Sequence, residues 1–148
     1  MPQTTRQADL LRVRAWFAPA FAPDEVLVAA VATTPFRLTM LNSLVATGKA
    51  LVGHNQARIL LLTDRSIHVV ARTFWRRRLR GVVASYPLGT VRVTLEREGH
   101  HASALGLDSG AVLCVGDQRF HLNVAGFQLG GEVGTGADVE LFLGSSRA

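Results

Sequence analysis

The chain has 148 residues, enough for one domain with a single hydrophobic core. Its 48% apolar content is typical of a globular protein and argues against a disordered chain. The net charge of +5 comes from one segment, because five arginines lie within residues 72–80 without an acid and the other 11 basic residues balance the 11 acidic ones. Such a concentration of charge indicates an anionic partner, and a solvated surface loop is the alternative.

Cys114 is the single cysteine, which excludes an intramolecular disulfide and favours a reducing compartment. The first apolar stretch, residues 15–32, is interrupted by prolines and acids and lacks the pattern of a secretory signal. No window of about 18 residues is free of charge, so we expect no transmembrane segment. The sequence therefore predicts a cytoplasmic protein, and a peripheral position at the inner face of the membrane stays open.

The first third of the chain shows helical patterns. Residues 8–17 carry apolar side chains at helical spacing between basic ones. The apolar residues 25–33 fit a buried strand or a helix equally well. An amphipathic helix is predicted over 35–52, with Thr34 as its N-cap and Gly53 as its stop. We expect this helix to pack on the protein's own sheet or on a second subunit.

From residue 57 onward the apolar pattern changes to the two-residue period of β-strands. Gly116-Asp117 fits a two-residue hairpin turn, and the glycine-rich residues 126–136 fit a loop. After this loop, Thr135 with Asp138 resembles a capping box before a short closing helix. Strands are predicted at residues 59–62, 67–71, 82–86, 91–95, 104–107, 111–115 and 118–124.

Three segments carry a resemblance to a known family: ILLLTDRSIHVV at 59–70, SYPLGTVRVTLE at 85–96 and LCVGDQRFHLNV at 113–124. They resemble the bacterial pleckstrin-homology-like (PH-like or GRAM-like) families. The resemblance implies a mainly β (α+β) fold, in which a strongly bent antiparallel sheet or barrel of about seven strands carries a short C-terminal helix. Residues 56–148 would form this domain, and residues 1–55 an N-terminal helical extension packed on its core.

The basic segment is the candidate binding site. An aromatic pair beside three arginines suits a contact with anionic lipid headgroups, with the rings at the interface and the guanidinium groups on phosphates. An acidic protein face would fit the same residues, whereas nucleic acid is the less favoured partner. In the alternative without function, the rings cover the sheet and the arginines are only solvated. The candidate contact residues are Arg72, Phe74, Trp75, Arg76, Arg77, Arg78 and Arg80.

No pattern in the sequence indicates catalysis. The serines lack a Gly-x-Ser-x-Gly elbow, and the glycine-rich run lacks the Gly-Lys-Ser/Thr of a phosphate-binding loop. The five histidines and Cys114 match no structural zinc spacing. We therefore expect no catalytic residues, no cofactor and no metal.

The sequence predicts a non-catalytic binding or scaffolding module, in line with the family resemblance. Its basic aromatic loop at 72–80 would contact an anionic lipid surface or an acidic protein. The alternative is a self-assembling protein whose oligomer interface uses the apolar 35–52 helix or a sheet edge.

Overall fold

The computed structural model of the protein describes residues 5–34, 58–72, 79–97, 108–123, 133–134 and 136–145. The helix predicted at 35–52, the strand predicted at 104–107, Thr135 and most of the glycine-rich loop lie outside these residues. A single 3₁₀ turn, Ala18–Ala20, follows the first helix. The helices and strands are α1 Thr5–Trp16, β1 Leu27–Thr34, β2 Arg58–Thr63, β3 Ser66–Arg72, β4 Leu79–Pro87, β5 Val93–Arg97, β6 Asp108–Val115, β7 Gln118–Asn123 and α2 Gly136–Ser145.

The seven strands form one antiparallel sheet in the order β4-β3-β2-β1-β7-β6-β5. The prediction of a mainly β fold with a short C-terminal helix is confirmed. The segment 25–33, which fitted a strand or a helix, is a strand. It lies between β2 and β7, so the sheet includes residues from both sides of the division predicted at residue 55.

The strand order requires the sheet to bend strongly. β4 and β5 lie at opposite edges, yet only residues 88–92 connect them, a link of at most about 21 Å. In a flat sheet of seven strands the edges would be about 29 Å apart. Backbone hydrogen bonds hold the link at both ends, from Leu88 N–H to Arg65 O and from Gly116 N–H to Arg92 O, each at 2.9 Å. Bending therefore brings the β2–β3 turn towards the β6–β7 turn.

The sheet is not closed into a barrel, although the resemblance allowed one. Within the residues the structure describes, β4 and β5 each pair with a neighbour on one side only. Among the described residues, β1 and β7 are joined by two residue pairs, Thr33 with Leu122 and Thr34 with His121. Nearer the start of β1, side chains from outside the sheet bond its backbone at Val28 and Ala30.

The inner face of the bent sheet carries the larger core cluster. Side chains from β1, β2, β3, β5, β6 and β7 meet there, and the two-residue period of β7 places Phe120 and Leu122 inward. α2 contacts β1 and β5 and inserts Phe142, which is fully buried, with Val139 and Leu143 beside it. The short helix thus covers the open side of the core.

The outer face of the central strands is covered by the N-terminal segment. Val13 and Phe17 are fully buried against this face, where β1 presents Ala30 and Ala32 and β2 presents Ile59 among other apolar side chains. The small alanine side chains allow the helix to approach the sheet closely. Because both faces of β1 and β2 are covered, both strands are apolar almost throughout.

Two ionic side chains, Arg6 and Asp138, form hydrogen bonds with the backbone of β1. The carboxylate of Asp138 on α2 accepts hydrogen bonds from the backbone N–H groups of Ala30 and Gly134, at 3.0 and 3.1 Å. Arg6 on α1 pairs with Asp138 and also donates to the carbonyl of Val28 at 3.0 Å. These side chains satisfy backbone groups of β1 and join both helices to the sheet.

Candidate functional site

The arginine hairpin, residues 72–80, joins β3 to β4 at one edge of the sheet. Arg72 and Leu79 are paired across the two strands, so the connection starts and ends at neighbouring points. The register shifts between Ala71 and Arg72, which leaves Arg80 as an extra residue on β4. Of the predicted contact residues, the structure gives the backbone positions of Arg72 and Arg80, whereas Phe74, Trp75, Arg76, Arg77 and Arg78 lie outside the described residues.

Chain length limits how far the five positive charges can separate. Paired residues of antiparallel strands are about 5 Å apart, and consecutive Cα atoms are 3.8 Å apart. Six residues separate Arg72 from Leu79, so the chain between these two Cα atoms is at most about 27 Å long. The Debye length at physiological ionic strength is about 8 Å, so charges on adjacent residues such as Arg76, Arg77 and Arg78 are not fully screened from one another.

Several arginines elsewhere are compensated by nearby acids. The hydrogen bond and charge of Arg65 lower the pKa of Asp24 below its ordinary value, so that this exposed pair remains ionised. The acid–arginine pairs among the described residues include Arg6–Asp138, Arg12–Asp9, Arg65–Asp24 and Arg119–Glu96.

A second group of polar side chains crosses the sheet near its opposite end. His68 on β3 lies beside Ser85 on edge strand β4, and its Nδ1 is 2.7 Å from the Ser85 Oγ. The other ring nitrogen, Nε2, is 2.9 Å from Oε2 of Glu25, which precedes β1. The three side chains form a continuous hydrogen-bonded chain, the Glu25–His68–Ser85 relay. Glu25 and His68 are buried, whereas Ser85 is exposed.

The carboxylate of Glu25 is held in its ionised form. Desolvation by burial raises its pKa, but hydrogen bonds from Thr63, from His68 and from the backbone N–H of Ala22 together outweigh burial, so the net pKa is lowered. An ionised carboxylate only accepts hydrogen bonds, so Nε2 of His68 must carry the proton that faces it. When the imidazole is neutral, its Nδ1 is therefore unprotonated and accepts the hydroxyl proton of Ser85.

The orientation of the His68 ring is fixed from a third side. The ring of Phe21 meets it edge-on, with centroids 5.8 Å apart and an interplanar angle of 80°. The segment that carries Phe21 and Glu25 is itself fastened by Arg14, which donates to the carbonyl oxygens of Ala22 and Glu25 at 3.2 and 3.0 Å. The imidazole is therefore positioned before any partner arrives.

Sequence reasoning did not find this relay. It treated His68 as one of several scattered histidines and tested Ser85 only against the nucleophile-elbow motif. A usable signal was present, because the predicted 67–71 and 82–86 strands are consecutive and an antiparallel pairing places His68 opposite Ser85. Nothing in the local sequence indicated that Glu25 would reach His68, since 43 residues separate them.

Within the parts of the chain that the structure describes, no three His, Cys, Asp or Glu side chains are grouped so that they could hold a metal ion. Cys114 is buried and not disulfide-bonded. No described helix combines the length and apolar character needed to cross a membrane. Comparisons with protein-family models, with curated proteins and with solved structures found no match for the chain.

Proposed function

We propose that the protein is a binding module of PH-like fold whose arginine hairpin attaches it to anionic lipid surfaces. The proposal is supported by the sequence, which has five arginines within residues 72–80 while its other charges balance, and by the pairing of Arg72 with Leu79, which joins this segment to the sheet edge. The PH-like assignment is supported by three features that the resemblance implies: seven antiparallel strands, a strongly bent sheet and a helix after the last strand.

The expected affinity follows from the number of charges. Each arginine near an anionic membrane surface contributes about 1 kcal/mol, so five supply about 5 kcal/mol. This corresponds to a dissociation constant on the order of 0.1 mM in accessible lipid. The predicted insertion of Phe74 and Trp75 at headgroup level would add to it. Binding of this strength is reversible and must be measured at lipid concentrations near 1 mM.

Co-sedimentation with vesicles tests the proposal. Wild type should pellet with vesicles that contain phosphatidylserine and not with pure phosphatidylcholine vesicles, and binding should weaken as salt rises and the Debye length shortens. Replacing Arg76, Arg77 and Arg78 by glutamine should abolish binding. Equal binding to both vesicle types, or no binding at low salt, would contradict the proposal. An acidic protein partner of the hairpin would then be the next candidate.

The alternative of a self-assembling protein has one observation in its favour. Edge strand β4 exposes the adjacent apolar residues Val82 and Val83, at 45% and 56%. However, the register shifts at Val83 and at Arg80, and such β-bulges hinder pairing between sheet edges. Light scattering separates the two functions: a stable oligomer that persists when the three arginines are neutralised would favour assembly.

A further inference from the structure

We propose that Ser85 is a nucleophilic site that accepts an acyl group from an activated ester or thioester, with His68 as its general base and Glu25 as the residue that orients the base. The inference concerns a site away from the arginine hairpin and does not depend on lipid binding. It also departs from the expectation that the chain carries no catalytic residues.

The geometry matches the requirements for activating a serine. A nucleophile and its base should lie within hydrogen-bond reach, and a third group should orient the base. Ser85 Oγ is 2.7 Å from His68 Nδ1, and His68 Nε2 is 2.9 Å from Glu25 Oε2. Compared with the familiar Ser-His-acid arrangement, the two ring nitrogens exchange roles. The ionised Glu25 selects the tautomer in which Nδ1 is free to take the serine proton.

Burial decreases along the relay from Glu25 to Ser85, which is the order that this chemistry needs. The side chains of Glu25 and His68 are 5% and 9% exposed, so water competes little for their hydrogen bonds. Ser85 is exposed on edge strand β4, where an ester could approach it. Alternate N–H groups of an edge strand point away from its neighbour, so β4 also offers backbone donors next to Ser85 for a developing oxyanion.

The reaction that follows is an acyl transfer. Ser85 Oγ attacks the carbonyl carbon of the ester, and its proton passes to His68 Nδ1. The bond from the carbonyl carbon to the leaving oxygen or sulfur then breaks, and that atom takes the proton from His68 Nδ1. The products are acyl-Ser85 and an alcohol or thiol. No oxidant, reductant or metal takes part. Water can then hydrolyse acyl-Ser85: His68 Nδ1 takes a proton from the attacking water and gives it to Ser85 Oγ as the ester bond breaks.

Acetylation by p-nitrophenyl acetate tests the inference in the full chain. The modified residues are identified by peptide mass spectrometry over a time course. Ser145 is the internal control, because its hydroxyl donates to the Phe142 carbonyl instead of a base. General-base catalysis is worth about 10²- to 10⁴-fold, so Ser85 should be acetylated at least about 100-fold faster than Ser145.

Two variants complete the experiment. Ser85→Ala removes an exposed hydroxyl and should lose the fast acetylation while the protein stays folded. His68→Gln should slow acetylation of Ser85 to the rate of Ser145, an effect that loss of a merely structural contact would not produce. Acetylation of Ser85 no faster than Ser145 in the wild-type protein would overturn the inference, and this comparison does not depend on how well either variant folds.

Discussion

The Arg6–Asp138 pair should be among the strongest single contributions to stability outside the core. Asp138 has no exposed surface, whereas Arg6 is 26% exposed. Arg6→Met would leave the buried carboxylate with its two backbone hydrogen bonds but no counter-charge. Breaking a buried pair from one side costs about 3–5 kcal/mol, and since water reaches Arg6 we expect the lower end, about 3 kcal/mol.

Asp138→Asn gives a matched perturbation from the other partner. The amide keeps one oxygen for the N–H groups of Ala30 and Gly134 but turns its NH₂ group towards the guanidinium of Arg6. We expect a similar loss of about 3 kcal/mol, and the double variant should lose little more than either single one. Arg119→Met is the control, because its pair with Glu96 is about half exposed on both sides and should contribute at most about 1 kcal/mol.

Urea unfolding followed by tryptophan fluorescence measures these losses. With a slope of about 1–3 kcal/mol per molar urea, a loss of 3 kcal/mol lowers the midpoint by at least about 1 M. If Arg6→Met and Asp138→Asn each lost less than about 1 kcal/mol, as the control does, the conclusion that this pair holds both helices to β1 would be refuted.

Two further predictions concern pH and a turn. The folded pKa of Glu25 lies below its ordinary value of 4.5, so the unfolded chain binds more protons at low pH. The contribution of ionised Glu25 to stability is therefore complete above about pH 4.5 and is lost as the pH falls through the folded pKa. Glu25→Gln should therefore flatten the pH dependence of urea stability in this range. Gly116→Ala should cost about 1–2 kcal/mol because φ is +62°, while the nearest atom, Val91 Cγ1 at 3.9 Å, leaves room for the methyl group. Gly81→Ala, with open space around it, is the control and should cost nothing measurable; equal losses would contradict the backbone explanation.

The β-structure was predictable where only one face of a strand is buried or a turn residue marks a hairpin. Phe120 and Leu122 alternate with polar residues on β7, and Gly116 adopts the positive φ that the hairpin requires. β1 could not be distinguished from a helix, because Ala29, Ala30, Val31 and Ala32 are all buried, from both sides, and alternation disappears.

Long-range polar contacts could not be read from the sequence. Arg6 and Asp138 are 132 residues apart, and their pairing depends on the packing of both helices against β1, which no local pattern encodes. Glu25 reaches His68 only because the sheet brings the start of β1 beside β3 through β2. The charge of the arginine hairpin, in contrast to these contacts, was evident from the sequence alone. Its role in binding stays a prediction.

Binding should depend on where the arginines lie and not on net charge. Vesicle co-sedimentation of two charge-matched variants separates these two possibilities. The first variant carries Gln at positions 76, 77 and 78, and the second carries Gln at the exposed positions 65, 92 and 119. Each variant lacks three arginines, which lowers the net charge from +5 to +2. The first variant should lose binding to phosphatidylserine vesicles, and the second should retain most of it. Equal loss in both variants would show that overall charge governs the interaction and would contradict a localised site at the arginine hairpin.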